Sequence, residues 1–241
     1  MKYTYFISDV HIPAKRDETE NRRLLIFLRF LDGIRETAKC VFIVGDLFDF
    51  WFEYNYVIPK DYFIVLHHLA KLKEGGVEIH YLAGNHDFWL GNFLTKELGI
   101  GTYMDSWTGT IDGKKFFLFH GDGVAKRDRG YRIIKRIFRS RLNMRLYRLL
   151  HPDFGIPFAH IVSGTSRKYS EKINLKDADD YLAFARKQFE QGYDFVLMGH
   201  RHTPLRHEEN GKVYINLGDW LDKFTYARFD GANLELLTYR T

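Results

Sequence analysis

The chain has 241 residues, of which 45% are apolar and 28% charged, and this balance excludes a largely disordered protein. A single cysteine, Cys40, excludes an internal disulfide framework and a zinc site built from thiolates alone. The net charge of +5 is uneven, because residues 126–148 carry +9 and the rest of the chain carries −4. The N-terminal residues resemble a strand rather than a signal peptide, and no apolar run is long enough to span a membrane, so we expect a cytoplasmic protein.

Five short apolar runs, each followed by polar residues, predict buried strands. In chain order these runs cover residues 3–7, 40–44, 77–82, 115–119 and 195–198. Two stretches with an apolar face, residues 18–39 and 61–73, predict helices between the first three runs. Alternation of strand and helix at this spacing predicts a mainly parallel sheet covered by helices.

Turn signals separate short strand patterns in the last part of the chain. Asn210-Gly211 lies between apolar runs and is typical of a β-hairpin, and Asp112-Gly113 predicts a second one. Further strand patterns follow at residues 213–216, 224–228 and 234–237. We therefore expect the α/β class, with two sheets packed face to face and helices on the outside.

Residues 123–173 interrupt this alternation, since they have helical patterns without a strand partner. We expect one domain, residues 1–241, with this segment inserted as a helical cap over the strand ends. Lysines and arginines flank an apolar stripe in the segment, which predicts a basic amphipathic helix. The stripe consists of Ile134, Phe138, Leu142, Leu146 and Leu150. Two interpretations stay open: the stripe packs on the domain with its cations in water, or it contacts acyl chains while its cations contact a diphosphate or anionic lipids.

Polar residues follow each of the five predicted strands, at the strand ends where ligands bind in such sheets. The candidate metal ligands are Asp9, His11, Asp46, Asn85, His120, His200 and His202. Two carboxylates, one amide and four imidazoles are too many for one ion and fit two, with Asp46 placed to bridge them. Nitrogen and oxygen ligands without sulfur suit manganese, iron or zinc, and the pattern does not separate these metals. The sequence therefore predicts two divalent ions and hydrolysis of a phosphoester.

Other polar residues in these loops are predicted to support the ligands. Asp49, Asp87 and Asp122 are interpreted as groups that orient them. The remaining histidines lack comparable surroundings, and we interpret them as structural: His67, His68, His80, His151, His160 and His207.

The motifs that contain these residues resemble the signature of the calcineurin-like metallophosphoesterases. In order, they are Asp9-x-His11, Gly45-Asp46-x-x-Asp49, Gly84-Asn85-His86-Asp87, Phe119-His120-Gly121-Asp122 and Gly199-His200-x-His202. The resemblance implies a double β-sandwich flanked by helices. It implies one metal held by Asp9, His11, Asp46 and His202, and another held by Asp46, Asn85, His120 and His200. It also implies that His86 is the catalytic histidine near the leaving group, with Asp46 as the bridging catalytic carboxylate.

Sequence around two of these motifs resembles the UDP-2,3-diacylglucosamine pyrophosphatases of lipid A synthesis. Residues 45–51 and 84–88 carry that resemblance, and the insertion after His120 matches the position of the family's helical cap. The resemblance implies cleavage to UMP and 2,3-diacylglucosamine 1-phosphate by attack of a metal-held hydroxide on the α-phosphorus, with manganese as the expected metal. The implied substrate contacts are Asn85, His86, Asp128, Ser166, Arg167, Lys168 and His200.

One position departs from that family, because its best-studied enzymes carry arginine where this chain has His86. A metallophosphodiesterase of a nucleotide or nucleic acid therefore stays open as an alternative. The scattered aromatic residues of the insertion form no stacking platform, which disfavours nucleic acid as a partner. A non-catalytic scaffold is disfavoured because all seven ligands are present. We expect an acylated nucleotide sugar as the partner, and the basic helix also fits a peripheral contact with the anionic cytoplasmic face of the inner membrane.

Overall fold

The computed structural model describes residues 2–159 and 178–240, and within them eleven strands form two sheets. The first sheet has the spatial order β11 (Leu234–Thr238), β10 (Thr225–Phe229), β1 (Tyr3–Ile7), β2 (Ala38–Val44), β3 (Glu78–Leu82) and β4 (Gly101–Tyr103). The second has the order β5 (Ser106–Ile111), β6 (Lys114–Phe119), β7 (Phe195–Met198), β9 (Lys212–Asn216) and β8 (Leu205–Glu209). The predicted pair of sheets is confirmed.

Parallel pairing brings the ends of the central strands together. In the first sheet, β1, β2 and β3 are parallel, with Ile7 opposite Ile43 and Val44 opposite Leu82. In the second sheet, β6 and β7 are parallel, with Phe119 opposite Met198. The loops that follow these five strands therefore leave from the same ends of their sheets, as the alternating pattern predicts.

The helices that cover the first sheet are α1 (Glu18–Ile34) and α2 (Phe63–Glu74), and α2 follows a short 3₁₀ turn, Lys60–Tyr62. Asp17 starts α1 through a capping box, in which its side chain accepts from the Glu20 backbone while Glu20 accepts from the Asp17 backbone. The expected helix 18–39 is too long, because the chain leaves α1 at Ile34 and already pairs in β2 from Ala38. Short α3 (Phe93–Lys96) precedes β4, and α7 (Ala178–Glu190) precedes β7.

Aromatic side chains fill the space between the two sheets. Phe6 stacks on Phe42 with ring centroids 5.3 Å apart, and on Phe116 of the second sheet at 5.6 Å. All three are fully buried, and complete burial of one such side chain contributes about 1.5–3 kcal/mol. Because residues from both sheets form this layer, the core fixes the distance between the two sets of loops.

Both predicted hairpins are present, and their turns have the expected backbone. Asn210 and Gly211 have φ of 53° and 74°, and Asp112 and Gly113 have φ of 46° and 84°. Two successive residues in the left-handed region are the type I′ geometry that suits the twist of paired strands. These turns close the β8–β9 and β5–β6 pairs.

Between β6 and α7, the described chain up to residue 159 is helical, and we call residues 123–159 the helical insertion. It contains a 3₁₀ turn (Lys126–Asp128), α4 (Arg129–Phe138), α5 (Arg141–Arg148) and α6 (residues 152–159). The expectation of one continuous amphipathic helix is wrong. The helix is interrupted at Ser140, which has an extended backbone. The Ser140 side chain caps α5 by accepting a hydrogen bond from the Asn143 backbone amide at 3.2 Å.

Four of the five residues of the apolar stripe have described side chains, and these four face solvent instead of packing on the domain. Phe138, Leu142, Leu146 and Leu150 are 45%, 65%, 54% and 46% exposed. An aromatic cluster anchors the insertion on its other side, where the Tyr147 ring lies 4.6 Å from Phe52 and 4.8 Å from Trp89. No helix in residues 2–159 and 178–240 combines the length and apolar character needed to cross a bilayer.

Candidate metal centre

The structure brings the seven candidate ligands together at the ends of five strands. Asp9 and His11 follow β1, Asp46 follows β2, Asn85 follows β3, His120 follows β6, and His200 and His202 follow β7. Six of the seven form two groups, Asp9–His11–His202 and Asp46–His120–His200, and within each group the ligand atoms lie within 4.8 Å of one another. His11 and Asp46 also form such a group with His86. The predicted ligand set therefore occupies one location in the fold.

In the first group, two imidazoles face one carboxylate. Asp9 Oδ1 lies 3.7 Å from His11 Nε2 and 3.3 Å from His202 Nε2. Its second oxygen is already used, because Asp9 Oδ2 accepts hydrogen bonds from Ser8 Oγ at 2.6 Å and from the His200 backbone amide at 2.8 Å. The carboxylate is thereby oriented so that only Oδ1 faces the histidines.

The Asn85 amide lies between the two imidazoles of the second group. Asn85 Oδ1 is 2.9 Å from His120 Nε2 and 2.8 Å from His200 Nδ1. The other nitrogen of His120 donates to the Val44 carbonyl at 2.9 Å, which leaves Nε2 facing Asn85.

Asp46 lies between the two groups. Its Oδ2 is 3.2 Å from His120 Nε2 of the second group and 3.7 Å from His11 Nε2 of the first. Its Oδ1 accepts a hydrogen bond from the His86 backbone amide at 2.9 Å. One carboxylate oxygen thus faces ligands of both groups, which is the arrangement that a bridging carboxylate requires.

The backbone of the ligand loops is strained. Asp9, His11, Asp46, His200 and His202 all have φ between 49° and 69°, in the left-handed region that non-glycine residues seldom adopt. Each such residue costs on the order of 1 kcal/mol, and this strain typically accumulates at functional sites. Gly84 and Gly199 permit the close packing, since a Cβ on Gly84 would lie 2.0 Å from Asp46 Oδ1 and one on Gly199 2.0 Å from Ser8 Oγ.

Comparison with known proteins agrees with this geometry. A sequence model of the calcineurin-like phosphoesterase family matches residues 3–204. The chain belongs to this family. It is 38% identical to a UDP-2,3-diacylglucosamine hydrolase of Porphyromonas gingivalis, with 96% of this chain and 95% of that protein aligned. It is 30% identical to a protein of the same name from Neisseria meningitidis, over 96% of this chain and 95% of the relative.

A solved structure shows the same fold at low sequence identity. An archaeal phosphodiesterase superposes with a TM-score of 0.51 at 15% identity, covering 98% of this chain and 99% of that one. Together with the family match, this makes the chain a metal-dependent hydrolase of the calcineurin-like phosphoesterase family with the family's two-sheet fold.

The electrostatics of this phosphoesterase site favour bound positive charge. Burial opposes the charge of His120, but Asp46 outweighs it and raises the pKa of His120 to about 10. Burial likewise opposes the charge of His11, yet Asp49 and Asp9 raise its pKa well above the usual range. Asp9 Oδ1 is buried and accepts no hydrogen bond within the described chain. These residues therefore fit divalent cations, which would satisfy that oxygen and replace the protons on the imidazoles.

His86 lies beside the centre and is almost fully buried. Its Nδ1 donates to the Asp49 carbonyl at 3.1 Å, and its ring meets that of His11 edge to face at 4.8 Å. Burial lowers the pKa of His86. In the free protein the imidazole is therefore neutral at pH 7, with its proton on Nδ1 and a lone pair on Nε2.

Asp87 organises the loop that carries Asp46. Its carboxylate accepts hydrogen bonds from the backbone amides of Leu47 and Gly84, both at 2.8 Å, and from the Tyr81 hydroxyl. Burial, and then the charge of Asp46, raise the pKa of Asp87 to about 6. Asp87 thus joins the loop that follows β2 to the loop that follows β3, which is the supporting role that its position in the motif predicts.

The other two carboxylates that were expected to orient ligands, Asp49 and Asp122, contact different partners. Asp49 Oδ1 is 3.2 Å from His11 Nδ1, so it faces the ligand histidine directly. Asp122 instead pairs with the helical insertion, because its Oδ2 lies 2.7 Å from Lys135 Nζ and 3.9 Å from an Arg139 nitrogen. His120 and Lys135 outweigh the effect of burial and keep the pKa of Asp122 below its usual range.

Sequence reasoning missed four residues that support the site: Ser8, Tyr81, Lys135 and Arg139. Ser8 stands immediately before Asp9, and Tyr81 is the second-last residue of β3, so a polar atom at each of these positions was the available signal. Nothing in the sequence separated Lys135 and Arg139 from the other cations of the insertion.

The predicted substrate contacts of the insertion are only partly described. Asp128 ends the 3₁₀ turn ahead of α4 and is half-buried. Ser166, Arg167 and Lys168 lie outside the described residues, as does His160. Away from the centre, the structural interpretation of His80 agrees with its position, since its ring stacks on Phe42 at 4.6 Å and its Nδ1 contacts the Tyr103 hydroxyl at 3.1 Å.

Proposed function

We propose that this phosphoesterase hydrolyses the diphosphate of UDP-2,3-diacylglucosamine to UMP and 2,3-diacylglucosamine 1-phosphate. The observation that carries the proposal is the similarity to the UDP-2,3-diacylglucosamine hydrolase of Porphyromonas gingivalis, which covers 96% of this chain and 95% of that protein. The complete ligand set and the family's fold support a hydrolytic reaction of this kind.

Two divalent ions are proposed for the centre, with Mn²⁺ as the native metal. One set of proposed ligands is Asp9, His11, Asp46 and His202; the other is Asp46, Asn85, His120 and His200. Ions bound in this way supply Lewis-acid charge that lowers the pKa of a water molecule and offsets the negative charge of the phosphate oxygens. Nitrogen and oxygen donors without thiolate are compatible with Mn²⁺.

The protein's own residues hold the reacting groups in line. The oxygen of water adds to the α-phosphorus, and the bond from that phosphorus to the bridging oxygen breaks, so that the bridging oxygen leaves with the sugar 1-phosphate. Asn85, His86 and His200 surround the position proposed for the α-phosphate. Asp46, held by the amide of His86 at 2.9 Å, fixes the relative position of the two metal sites.

His86 is proposed to assist the leaving group. Burial favours its neutral form in the free protein, but the negative charge of a bound diphosphate favours the imidazolium. Nδ1 stays on the Asp49 carbonyl, and the added proton on Nε2 forms a hydrogen bond to the departing oxygen. The hydrogen bond to Asp49 therefore orients the ring for this role.

The segment 123–173 is proposed to act as a cap that receives the acyl part of the substrate. Several of its described apolar side chains are exposed, among them Phe138, Leu142, Leu146, Leu149 and Phe154. Exposed cations, including Arg136, Arg145 and Arg148, flank them along α4 and α5. Asp128, Ser166, Arg167 and Lys168 remain the proposed polar contacts of the cap with the substrate.

An exposed apolar surface flanked by cations also fits the boundary of an anionic membrane. We propose that the enzyme is cytoplasmic and makes peripheral contact with the inner face of the inner membrane, where a doubly acylated nucleotide sugar would reside. Each lysine or arginine near such a surface contributes about 1 kcal/mol.

Incubation of the purified protein with UDP-2,3-diacylglucosamine and Mn²⁺ tests the proposal. We expect UMP to accumulate in step with loss of substrate, and to require the metal. An unacylated UDP-sugar and a single-stranded oligonucleotide, assayed in parallel, test the alternative substrates. Faster cleavage of either, with no UMP from the acylated substrate, would contradict the proposal.

A further inference from the structure

The side chain of Arg139 joins the helical insertion to the metal-binding loops. It lies directly after α4, and only 16% of it is exposed. Its Nη2 donates to the Gly84 carbonyl at 3.0 Å, and its Nη1 donates to the Met104 carbonyl at 2.9 Å and to Asp105 at 3.1 Å. The same guanidinium lies over the Phe88 ring at 5.5 Å.

These contacts connect segments from both sheets. Gly84 follows β3 of the first sheet, and Met104 lies in the connection between β4 of the first sheet and β5 of the second. Arg139 also lies 3.9 Å from Asp122, which follows β6 of the second sheet. A planar guanidinium with several fixed donors suits this geometry, because it can bond two carbonyl groups and a carboxylate at once.

The position of the Gly84 backbone affects the arrangement of the candidate metal ligands. Gly84 packs so tightly against Asp46 that a Cβ would lie 2.0 Å from the Asp46 carboxylate. The next residue is Asn85, whose Oδ1 lies within 3 Å of the nitrogens of His120 and His200. A shift of the Gly84 backbone therefore moves the amide oxygen between those two histidines.

We propose that Arg139 is a positioning residue that holds the Gly84–Asn85 segment, so that binding of the ion at Asn85, His120 and His200 depends on the helical insertion. The inference rests on the two-metal function proposed above. It adds that the insertion acts on the metal centre as well as on the substrate. The other metal site, at Asp9, His11 and His202, has no comparable contact with Arg139 within the described chain, so it should be affected less.

The test is Mn²⁺ titration of metal-stripped protein by calorimetry, combined with electron paramagnetic resonance of the loaded protein. Wild type should bind two ions and give the spectrum of a coupled pair. Arg139→Ala should bind one ion with wild-type affinity and the second at least about 10-fold more weakly, the range seen when a ligand's supporting partner is lost. With one Mn²⁺ ion added per protein molecule, the spectrum of Arg139→Ala should be that of an isolated ion.

Three variants separate positioning from a general effect. Arg136→Ala removes the same charge from an exposed position of α4 and should leave both affinities unchanged. Asp105→Ala removes only the outer contact and should also retain both ions, since Gly84 keeps its donor. Arg139→Lys keeps the positive charge but lacks the planar guanidinium that bonds several acceptors at once, so it should restore the affinity for the second ion only in part.

The outcomes distinguish this inference from the proposed function. If wild type binds fewer than two ions, the two-metal function fails and the inference with it. If wild type binds two and Arg139→Ala binds both with wild-type affinity, only the inference is wrong. Should Arg139→Ala not fold, as judged by circular dichroism, Arg139→Lys decides, and wild-type affinity for the second ion in that variant contradicts the inference.

Discussion

The Nε2 atoms of His11 and His202, from loops 191 residues apart in the chain, lie 3.1 Å from each other. Two neutral imidazoles that both directed lone pairs into this space would repel. The nearest carboxylate oxygen, Asp9 Oδ1, is buried without a hydrogen bond from the described residues. The three side chains are therefore arranged around a position for positive charge.

Replacement of Asp46 by alanine should abolish turnover. Its Oδ2 faces His11 and His120, so the change removes the ligand shared by both proposed sites. We expect kcat to fall by more than about 100-fold, because loss of a residue that only supports a ligand costs at most about that much. We also expect fewer than two bound ions. UMP release and metal analysis measure the two effects. Asp222→Ala, at an exposed aspartate that is not a proposed ligand, is the control. Wild-type hydrolysis by Asp46→Ala with metal present would refute the bridging role.

Replacement of His86 by glutamine should lower kcat by about 10²–10⁴-fold while both ions stay bound. The fall is expected because glutamine cannot supply a proton to the departing oxygen. Metal content should persist, since the contact of residue 86 with Asp46 is made by its backbone amide. Inductively coupled plasma analysis of the variant provides the check. Loss of one ion would instead identify His86 as a ligand.

The metal-free protein should lose stability as pH rises. Burial lowers the pKa of His120, but Asp46 outweighs this and raises it to about 10 in the folded state, against about 6.5 in an unfolded chain. The folded state therefore binds the proton more tightly, and this stabilisation is fully present below pH 6.5 and is lost as pH rises through about 10. The melting temperature of chelator-treated protein should fall across this window.

Added Mn²⁺ should reduce that pH dependence, because the ion replaces the proton as the positive charge beside Asp46. The variant His120→Gln should show a flatter profile than wild type without metal, since it lacks the titrating group. Differential scanning fluorimetry between pH 6.5 and 10 compares the three samples. Identical slopes for metal-free wild type and His120→Gln would show that His120 does not carry the effect.

The exposed apolar surface of the insertion should bind anionic vesicles. Leu146 and Leu149 are 54% and 82% exposed, and each leucine moved into lipid contributes about 1.5 kcal/mol or more. The double change Leu146→Glu with Leu149→Glu should strongly reduce cosedimentation with phosphatidylglycerol vesicles. With substrate in detergent, kcat at saturation should be retained because both side chains are exposed and neither is a proposed ligand, whereas KM should rise because the same surface is proposed to receive the acyl chains.

A matched control is available on the second sheet. Leu205 of β8 is also exposed, and Leu205→Glu should leave sedimentation unchanged. If the double variant and wild type sediment equally, the insertion does not contact the membrane, and its apolar surface would serve the acyl chains of the substrate alone.

The convergence of the candidate ligands could be predicted from the sequence because the signals are local. Each of Asp46, Asn85 and His120 follows a short apolar run, and parallel strands place their carboxyl ends together. The hairpins at Asp112 and Asn210 were predictable for a similar reason, since the preference of Asn-Gly and Asp-Gly for left-handed backbone is a property of the dipeptide.

The orientation of the insertion could not be predicted in this way. A period of about four residues indicates that one face is apolar, but not which face meets the domain. That choice depends on distant acceptors, here Asp122 and the Gly84 carbonyl, which attract Lys135 and Arg139 inward and leave Leu142 in solvent. The end of α4 before Ser140 could not be predicted either, because a serine at this position is equally compatible with the polar face of one continuous helix.

The most direct test of the two-metal centre is anomalous diffraction from a crystal of the protein grown with Mn²⁺. We predict two peaks within a few ångströms of each other on either side of Asp46, one next to Asp9, His11 and His202 and the other next to Asn85, His120 and His200. A single peak, or peaks away from these side chains, would contradict the account.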